Sequence, residues 1–226
     1  MTGTLINAGA VIAGSIIGLL LNRRLPEKIT KAVFIPIGLF TIFLGVKMTL
    51  AAPNIMILVL SVVTGTIIGV VIKLDIAINQ LGNALKSIIR SKNRHFTEGL
   101  VTAFLIFCMG SLTVLGAFEE GTGHFPNILL TKSIMDGFTS VILAASMGIG
   151  VMLSAIPLLI YQGLLTLFAG SLTGFITADT VSQISGAGGL MLLGLGIEIL
   201  EIKKLNIVNM LPSLIIAGVL AYFFVG

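Results

Sequence analysis

Residues 133–176 read SIMDGFTSVILAASMGIGVMLSAIPLLIYQGLLTLFAGSLTGFI, a run of 44 residues with one acid, Asp136, and no base. As one helix at about 1.5 Å per residue it would extend about 66 Å, twice the hydrocarbon core of about 30 Å. The run must therefore be two membrane-spanning helices, divided where Gly148-Ile149-Gly150 weakens the helical backbone.

The rest of the chain fits that reading. Of its 226 residues, 56% are hydrophobic and 10% charged, and the mean hydropathy is +1.14. Soluble domains are about 45–50% apolar and about 25% charged, so too few polar residues remain to coat a globule. A water-soluble enzyme, a nucleic-acid reader and a disordered regulator are excluded. Spans of about 20 apolar residues are expected at 4–22, 32–50, 54–72, 98–118, 129–147, 150–173, 186–201 and 206–225. The expected fold is an all-α polytopic membrane protein of about eight helices, or seven if 186–201 crosses only partly. Residues 1–226 form a single membrane domain. No basic segment precedes Leu5 and no small-residue cleavage pattern follows the first span, so that span is expected to be retained rather than cleaved.

Charge placement orients the spans. Arg23, Arg24, Lys28 and Lys31 follow the first span; Lys73, Lys86, Arg90, Lys92 and Arg94 follow the third; Lys203 and Lys204 follow the seventh. These eleven of thirteen basic residues occupy alternate loops, while the opposite loops hold Glu119, Glu120 and Asp179. The positive-inside rule makes the basic loops cytoplasmic and both termini extracytoplasmic. In the longest basic loop, 74–93, Ile78, Leu81, Leu85 and Ile88 recur at helical spacing opposite polar residues. That pattern predicts an amphipathic helix lying on the anionic inner leaflet.

An internal repeat is expected as well. Ala13-Gly-Ser-Ile-Ile-Gly18 returns as Ala169-Gly-Ser-Leu-Thr-Gly174, the Gly38–Lys47 stretch as Gly189–Glu198, and Asn54-Ile55 with Gly65 as Asn206-Ile207 with Gly218. The order is kept and the offsets lie between 151 and 156. Residues 1–72 would then repeat as 150–226, helices 1–3 matching helices 6–8 in opposite orientation, around central helices in 98–147. Inverted repeats are the architecture of many secondary transporters. The pairs Gly14/Gly18, Gly65/Gly69 and Gly170/Gly174 are expected to be helix-packing positions.

A charge inside a span costs about 2.5–3.5 kcal/mol on insertion scales, so intramembrane ionisable residues are candidate functional groups. Asp136 stands two turns into the fifth span with Lys132 four residues before it on the same face. The pair could bind a solute or ion, or be a structural ion pair with Lys132 snorkelling outward. Ser111, Thr113, Asn7 and Gln162 are the uncharged candidates for lining a path. Lys47 and Glu198, at equivalent repeat positions, are read as interface charges or gates, and Glu198 could pair with Lys203 or Lys204. Gly110 and Gly186-Ala-Gly188-Gly189 are candidate helix breaks, and Pro157 and Pro212 candidate kinks. No P-loop appears, and His95 and His124 lie at opposite ends of the span holding Ser111, so neither an ATP-driven pump nor a serine hydrolase is expected. No metal cluster can be assembled, and the lone Cys108 can form no disulfide within the chain. No catalytic residue, metal or cofactor is expected.

Cys108-Met-Gly-Ser-Leu-Thr-Val-Leu-Gly116, Lys132-Ser-Ile-Met-Asp136-Gly137-Phe138, Ser154-Ala-Ile-Pro157 with Gln162-Gly163, and Asn209-Met-Leu-Pro212 together carry a resemblance. Along essentially its whole length the chain resembles the YdfK/YqgA-type bacterial multi-pass membrane proteins of unknown function. The resemblance implies a bacterial plasma-membrane location, and it brings no substrate. The expected function is a secondary transporter or channel for a small solute or ion; the alternative is a non-transporting assembly or sensory partner. Its expected partners are the bilayer, anionic lipids at the inner face and the solute, with no nucleic acid; self-association is open.

Overall fold

The computed structural model describes residues 1–22, 27–88, 96–172 and 175–224, the side chains of residues 22, 27–31, 33, 81 and 172 excepted. Helices are its only regular elements among the described residues: α1 (Thr2–Asn22), α2 (Glu27–Leu50), α3 (Ile55–Val71), α4 (Leu74–Ile88), α5 (Phe96–Cys108), α6 (Ser111–Gly121), α7 (Asn127–Met147), α8 (Gly150–Leu153), α9 (Ala155–Phe168), α10 (Ala178–Ile199) and α11 (Pro212–Phe224). Short 3₁₀ turns at Ala169–Leu172 and Ile207–Met210 complete them.

Several of these helices fit a polytopic membrane protein. Thr2–Leu21, Asn127–Met147, Gly150–Ser171, Ala178–Ile199 and Ile207–Phe224 are each long and apolar enough to cross a bilayer. Two bent pairs, α3 with α4 at 60° and α5 with α6 at 63°, raise the number to seven if each pair is one span. The expected eight is reached only by adding the shorter apolar segment Phe34–Leu50 of α2.

The breaks have local causes. The long run of 133–176 divides after Met147, where Gly148 takes φ 82, a left-handed conformation that a side chain disfavours. Within its second half α8 ends at Leu153 and α9 begins at Ala155. Pro157 has no N–H to give to the Leu153 carbonyl, so the helix is interrupted at that turn. Pro212 does not kink its span from inside; it occupies the first turn of α11, where its missing donor costs nothing. The expected break near Gly110 falls between α5 and α6, and Thr113 Oγ1 spans it by donating to the Phe107 carbonyl at 2.9 Å. The glycines Gly186, Gly188 and Gly189 do not break their helix. The span starts at Ala178 rather than 186, capped by Thr177 Oγ1, which accepts from Thr180 N–H at 3.1 Å, and runs unbroken to Ile199. Its glycines serve close packing instead. The amphipathic helix expected over 74–93 is α4, Leu74–Ile88, turned away from α3 at Lys73, whose φ is 55. Arg90, Lys92, Arg94 and His95, like Arg23 and Arg24, lie outside the described residues, as do the side chains of Lys28 and Lys31.

The chain divides into two compact units. The first comprises residues 1–33, 81–108 and 112–172. In it α1 lies along α7: Gly3 faces Leu129, Gly14 faces Gly137, and Gly18 faces Val141. The paired numbers rise together, so the helices are parallel, and a side chain at Gly14 or Gly18 would run into α7 backbone. The start of α5 meets the other end of α7, Gly99 packing on Met147.

The second unit holds residues 34–80, 109–111 and 173–226. Here α2 and α10 cross antiparallel through glycines. A Cβ on Gly45 would stand 2.7 Å from the Gly189 carbonyl oxygen, and one on Gly196 2.8 Å from that of Gly38. α3 and α11 also pack antiparallel, Gly65 on Ser213 and Gly69 on Asn209. Gly170 does not follow this rule: a Cβ there meets nothing within 4 Å, and Gly174 lies outside the described residues. The Gln183 carboxamide holds the start of α3 by accepting from Asn54 N–H at 3.1 Å and donating to Asn54 O at 2.9 Å.

Candidate functional site: a buried ion pair and its polar chain

α7 opens after Pro126 and soon carries Lys132 and Asp136, one helical turn apart. The two side chains form an ion pair, Lys132 Nζ donating to Asp136 Oδ2. Both residues are buried, at 5% and 7% exposure. Lys132 therefore does not snorkel outward. Its amine lies against Asp136, and both side chains are withdrawn from the surface.

Asn7 of α1 and Gln162 of α9, both fully buried, continue the cluster. Asn7 Nδ2 donates to Gln162 Oε1 at 3.0 Å, and the Asn7 carboxamide also reaches the Asp136 carboxylate. Gln162 Nε2 lies 3.4 Å from Thr4 Oγ1, one turn before Asn7. Thr4 Oγ1 donates to Glu120 Oε2 at 2.9 Å and lies 3.2 Å from Thr166 Oγ1. Glu120 closes the chain at the end of α6. Its carboxylate accepts from Gly3 N–H at 2.6 Å and Thr4 N–H at 3.3 Å, and lies 3.1 Å from the Met1 amine. An acid at that point satisfies donors that the first turn of α1 leaves free and complements its dipole. Cys108, buried at the end of α5, interacts electrostatically with both Lys132 and Asp136.

The cluster thus joins Asn7, Gln162, Lys132 and Asp136 from the sequence expectation, and adds Thr4, Glu120, Thr166 and Cys108. The signal for Thr4 and Thr166 was spacing: Thr4 is three residues before Asn7 and Thr166 four after Gln162, on shared helix faces. Glu120 carried no such signal, because its contact with α1 joins residues more than 110 apart.

The other expected site residues have different roles. Thr113 is fully buried and satisfied by the helix break it spans. Ser111, half-buried, begins α6 and groups with the second unit. Lys47 is exposed in the last turn of α2, where a cation suits the helix dipole. Glu198 Oε1 accepts from Leu205 and Asn206 N–H at 2.6 and 2.7 Å. Those contacts make Glu198 the brace of the turn that follows α10, where the sequence reading had an interface charge or gate that could pair with Lys203 or Lys204.

Most polar atoms of the first unit are accounted for, with a few informative exceptions. Asn7 Oδ1, Ser15 Oγ and Thr102 Oγ1 are buried with no hydrogen-bond partner. A buried acceptor or hydroxyl without a partner costs about 1–3 kcal/mol, and such groups point to water or a ligand. Among the described residues no group of three or more His, Cys, Asp or Glu side chains could hold a metal ion.

Three comparisons bear on the chain. A family model described as "Protein of unknown function (DUF554)" matches residues 2–222. The uncharacterized protein YqgA of Escherichia coli (strain K12) is 34% identical over 220 residues, covering 95% of this chain and 94% of that protein. The uncharacterized membrane protein YdfK of Bacillus subtilis (strain 168) is 33% identical over 226 residues, covering 98% and 96% respectively. No solved structure matches the chain.

Proposed function

The chain belongs to the DUF554 family of proteins of unknown function, and from the buried pair in α7 we propose that this member is a transporter or channel for a small solute or ion. The observation that carries the reading is Lys132 with Asp136, both nearly inaccessible in a helix long and apolar enough to span a bilayer. An intramembrane ion pair is expensive to build. Asn7, which reaches the Asp136 carboxylate, also carries a buried Oδ1 without a hydrogen-bond partner.

An inverted repeat supports alternating exposure of such a site. Gly38 and Gly45 have Gly189 and Gly196 as their sequence counterparts. In the helix crossing, Gly38 packs on Gly196 and Gly45 on Gly189. Each glycine meets the counterpart of the other, which is the contact pattern a two-fold axis imposes. Asn7 meets Gln162, within the same range of offsets, so each unit contains one antiparallel pair of repeat-related helices. On this reading eight helices cross a bacterial plasma membrane with both termini outside, α4 rests on anionic lipid at the inner face, and the protein makes and breaks no covalent bond.

Purified protein in proteoliposomes tests the proposal. Wild type should pass a solute or ion across the vesicle wall, and Asp136→Asn should abolish that flux while eluting as a folded species in detergent. Absence of flux across a panel of ions and metabolites, or undiminished flux in the variant, would favour a non-transporting assembly partner.

A further inference from the structure

We propose that the ion carried is the proton, with the Lys132–Asp136 pair as its relay. Asp136 takes up a proton from one side as Lys132 gives one up to the other, and transfer across the hydrogen bond they share resets the pair. The proposal rests on the transport reading of this pair and names its ion.

Direct contact is the observation that points there. Lys132 Nζ donates to Asp136 Oδ2 with no group between them, and both side chains are withdrawn from the surface. The Asn7 carboxamide also reaches the carboxylate, and it does so as a donor. Two donors therefore face the acid. A metal cation would have to displace both and recruit a shell of oxygens, six or more for Mg²⁺ or Ca²⁺. Among the described residues no group of three or more His, Cys, Asp or Glu side chains could hold a metal ion. A solute that displaced either partner would leave the other's charge uncompensated, at a cost of about 3–5 kcal/mol. A proton needs neither a cavity nor a shell. It adds to one carboxylate oxygen and moves along a hydrogen bond that already exists.

Charge balances through the cycle. At rest the pair is the Asp136 carboxylate with the Lys132 ammonium, net zero. A proton from hydronium forms an O–H bond on Asp136, and one of the three N–H bonds of Lys132 breaks as its proton passes to water. A neutral acid then stands beside a neutral amine. The Asp136 O–H proton moves to the freed lone pair of Lys132 Nζ, restoring carboxylate and ammonium. One proton has entered and one has left, and these exchangeable O–H and N–H bonds are the only ones made or broken. Burial suits the exchange, because low-dielectric surroundings penalise both charges and the neutral pair carries none. Lysine suits it too: a buried ammonium can release a proton, whereas a guanidinium cannot. The titratable groups around the pair are Cys108 on α5 and, beyond it, Tyr161 of α9; α1 contributes the uncharged Asn7. Glu120 stands at the far end of the polar chain, joined through Thr4 and Gln162.

The test is proton movement into proteoliposomes of the full chain, read by an entrapped pH-sensitive dye under an imposed pH gradient, with potassium and valinomycin to dissipate charge. Wild type should move protons about tenfold or more faster than protein-free vesicles. Lys132→Arg keeps a cation for Asp136 but cannot release a proton. It should elute as a folded species and fall by about tenfold or more toward the protein-free rate. Lys132→Met/Asp136→Asn removes both charges and does not depend on how arginine packs; it should fold and move no protons. The proposal is overturned if wild type moves no protons, if folded Lys132→Arg moves them as fast as wild type, or if the double variant still moves them. Failure of the transport reading looks different. Flux of another solute without protons keeps transport and removes the relay, whereas absence of every flux removes both.

Discussion

Asp136 and Lys132 stabilise each other, and each is costly without its partner. Removing one partner of a buried pair leaves an uncompensated charge and costs about 3–5 kcal/mol, whereas replacing both by apolar or neutral groups is often neutral. Asp136→Asn should therefore lower the unfolding midpoint by about 10 °C, taking about 2–4 °C per kcal/mol for a chain of this size. Lys132→Met/Asp136→Asn should recover most of that loss, which a double-mutant cycle of thermal melts in detergent would quantify. If the double variant is no more stable than Asp136→Asn, the pair is not the energetic unit the geometry describes. Glu120 makes a separate contribution as the acceptor for the first turn of α1. Glu120→Gln keeps the shape and loses the charge, and should cost about 1–2 kcal/mol in the same assay. The pair was legible from its i, i+4 spacing inside an apolar run. Its partners on α1 and α9 were legible only as polar residues in spans, because nothing in local spacing states which helices meet.

Glycine placement decides how the helices pack. In lipid there is no hydrophobic drive between helices, so close backbone approach carries much of the association. Gly189 lies against the Gly45 carbonyl, and Gly14 against the Gly137 carbonyl and Ser140. Gly189→Leu and Gly14→Leu should each abolish the monodisperse folded species seen by size exclusion. Gly110→Ala is the contrast: a Cβ there meets nothing within 4 Å, and the melt should move by no more than about 0.5 kcal/mol. Equal damage from all three would show that close helix contact is not what these glycines supply. The same comparison explains why Gly186-Ala-Gly188-Gly189 misled as a break. A cluster of glycines signals either a weak helix or a close crossing, and only neighbours such as Ala52 and Thr49 distinguish the two. At Gly148 the ambiguity vanishes, since φ 82 and the end of α7 coincide.

Across the whole molecule, the proposed orientation rests on the uneven distribution of basic residues. Single cysteines at Lys73 and Lys203, in a Cys108→Ser background, should react with a membrane-impermeant thiol reagent only after the cells are opened. A cysteine at His124 should react in intact cells. Labelling of all three positions from one side would overturn both the orientation and the odd–even order of the spans. Hydropathy, charge bias and the length of the 133–176 run determined by themselves that the chain is a helical membrane protein and roughly where most of its apolar helices lie, though not the start of α10 or the bend between α5 and α6, and that Asp136 is its exceptional acid. Those properties are set by the bilayer's thickness and the cost of burying charge, which act on each segment in turn. Tertiary structure alone decided that Lys132 turns inward to Asp136 and that Glu120 reaches the head of α1. It also decided that Asn7 and Gln162 join the two into one chain and that Asn7 Oδ1 is left without a partner. Apart from the i, i+4 pair itself, these contacts link residues more than 100 positions apart, and their energies depend on donor and acceptor geometry that no linear pattern contains.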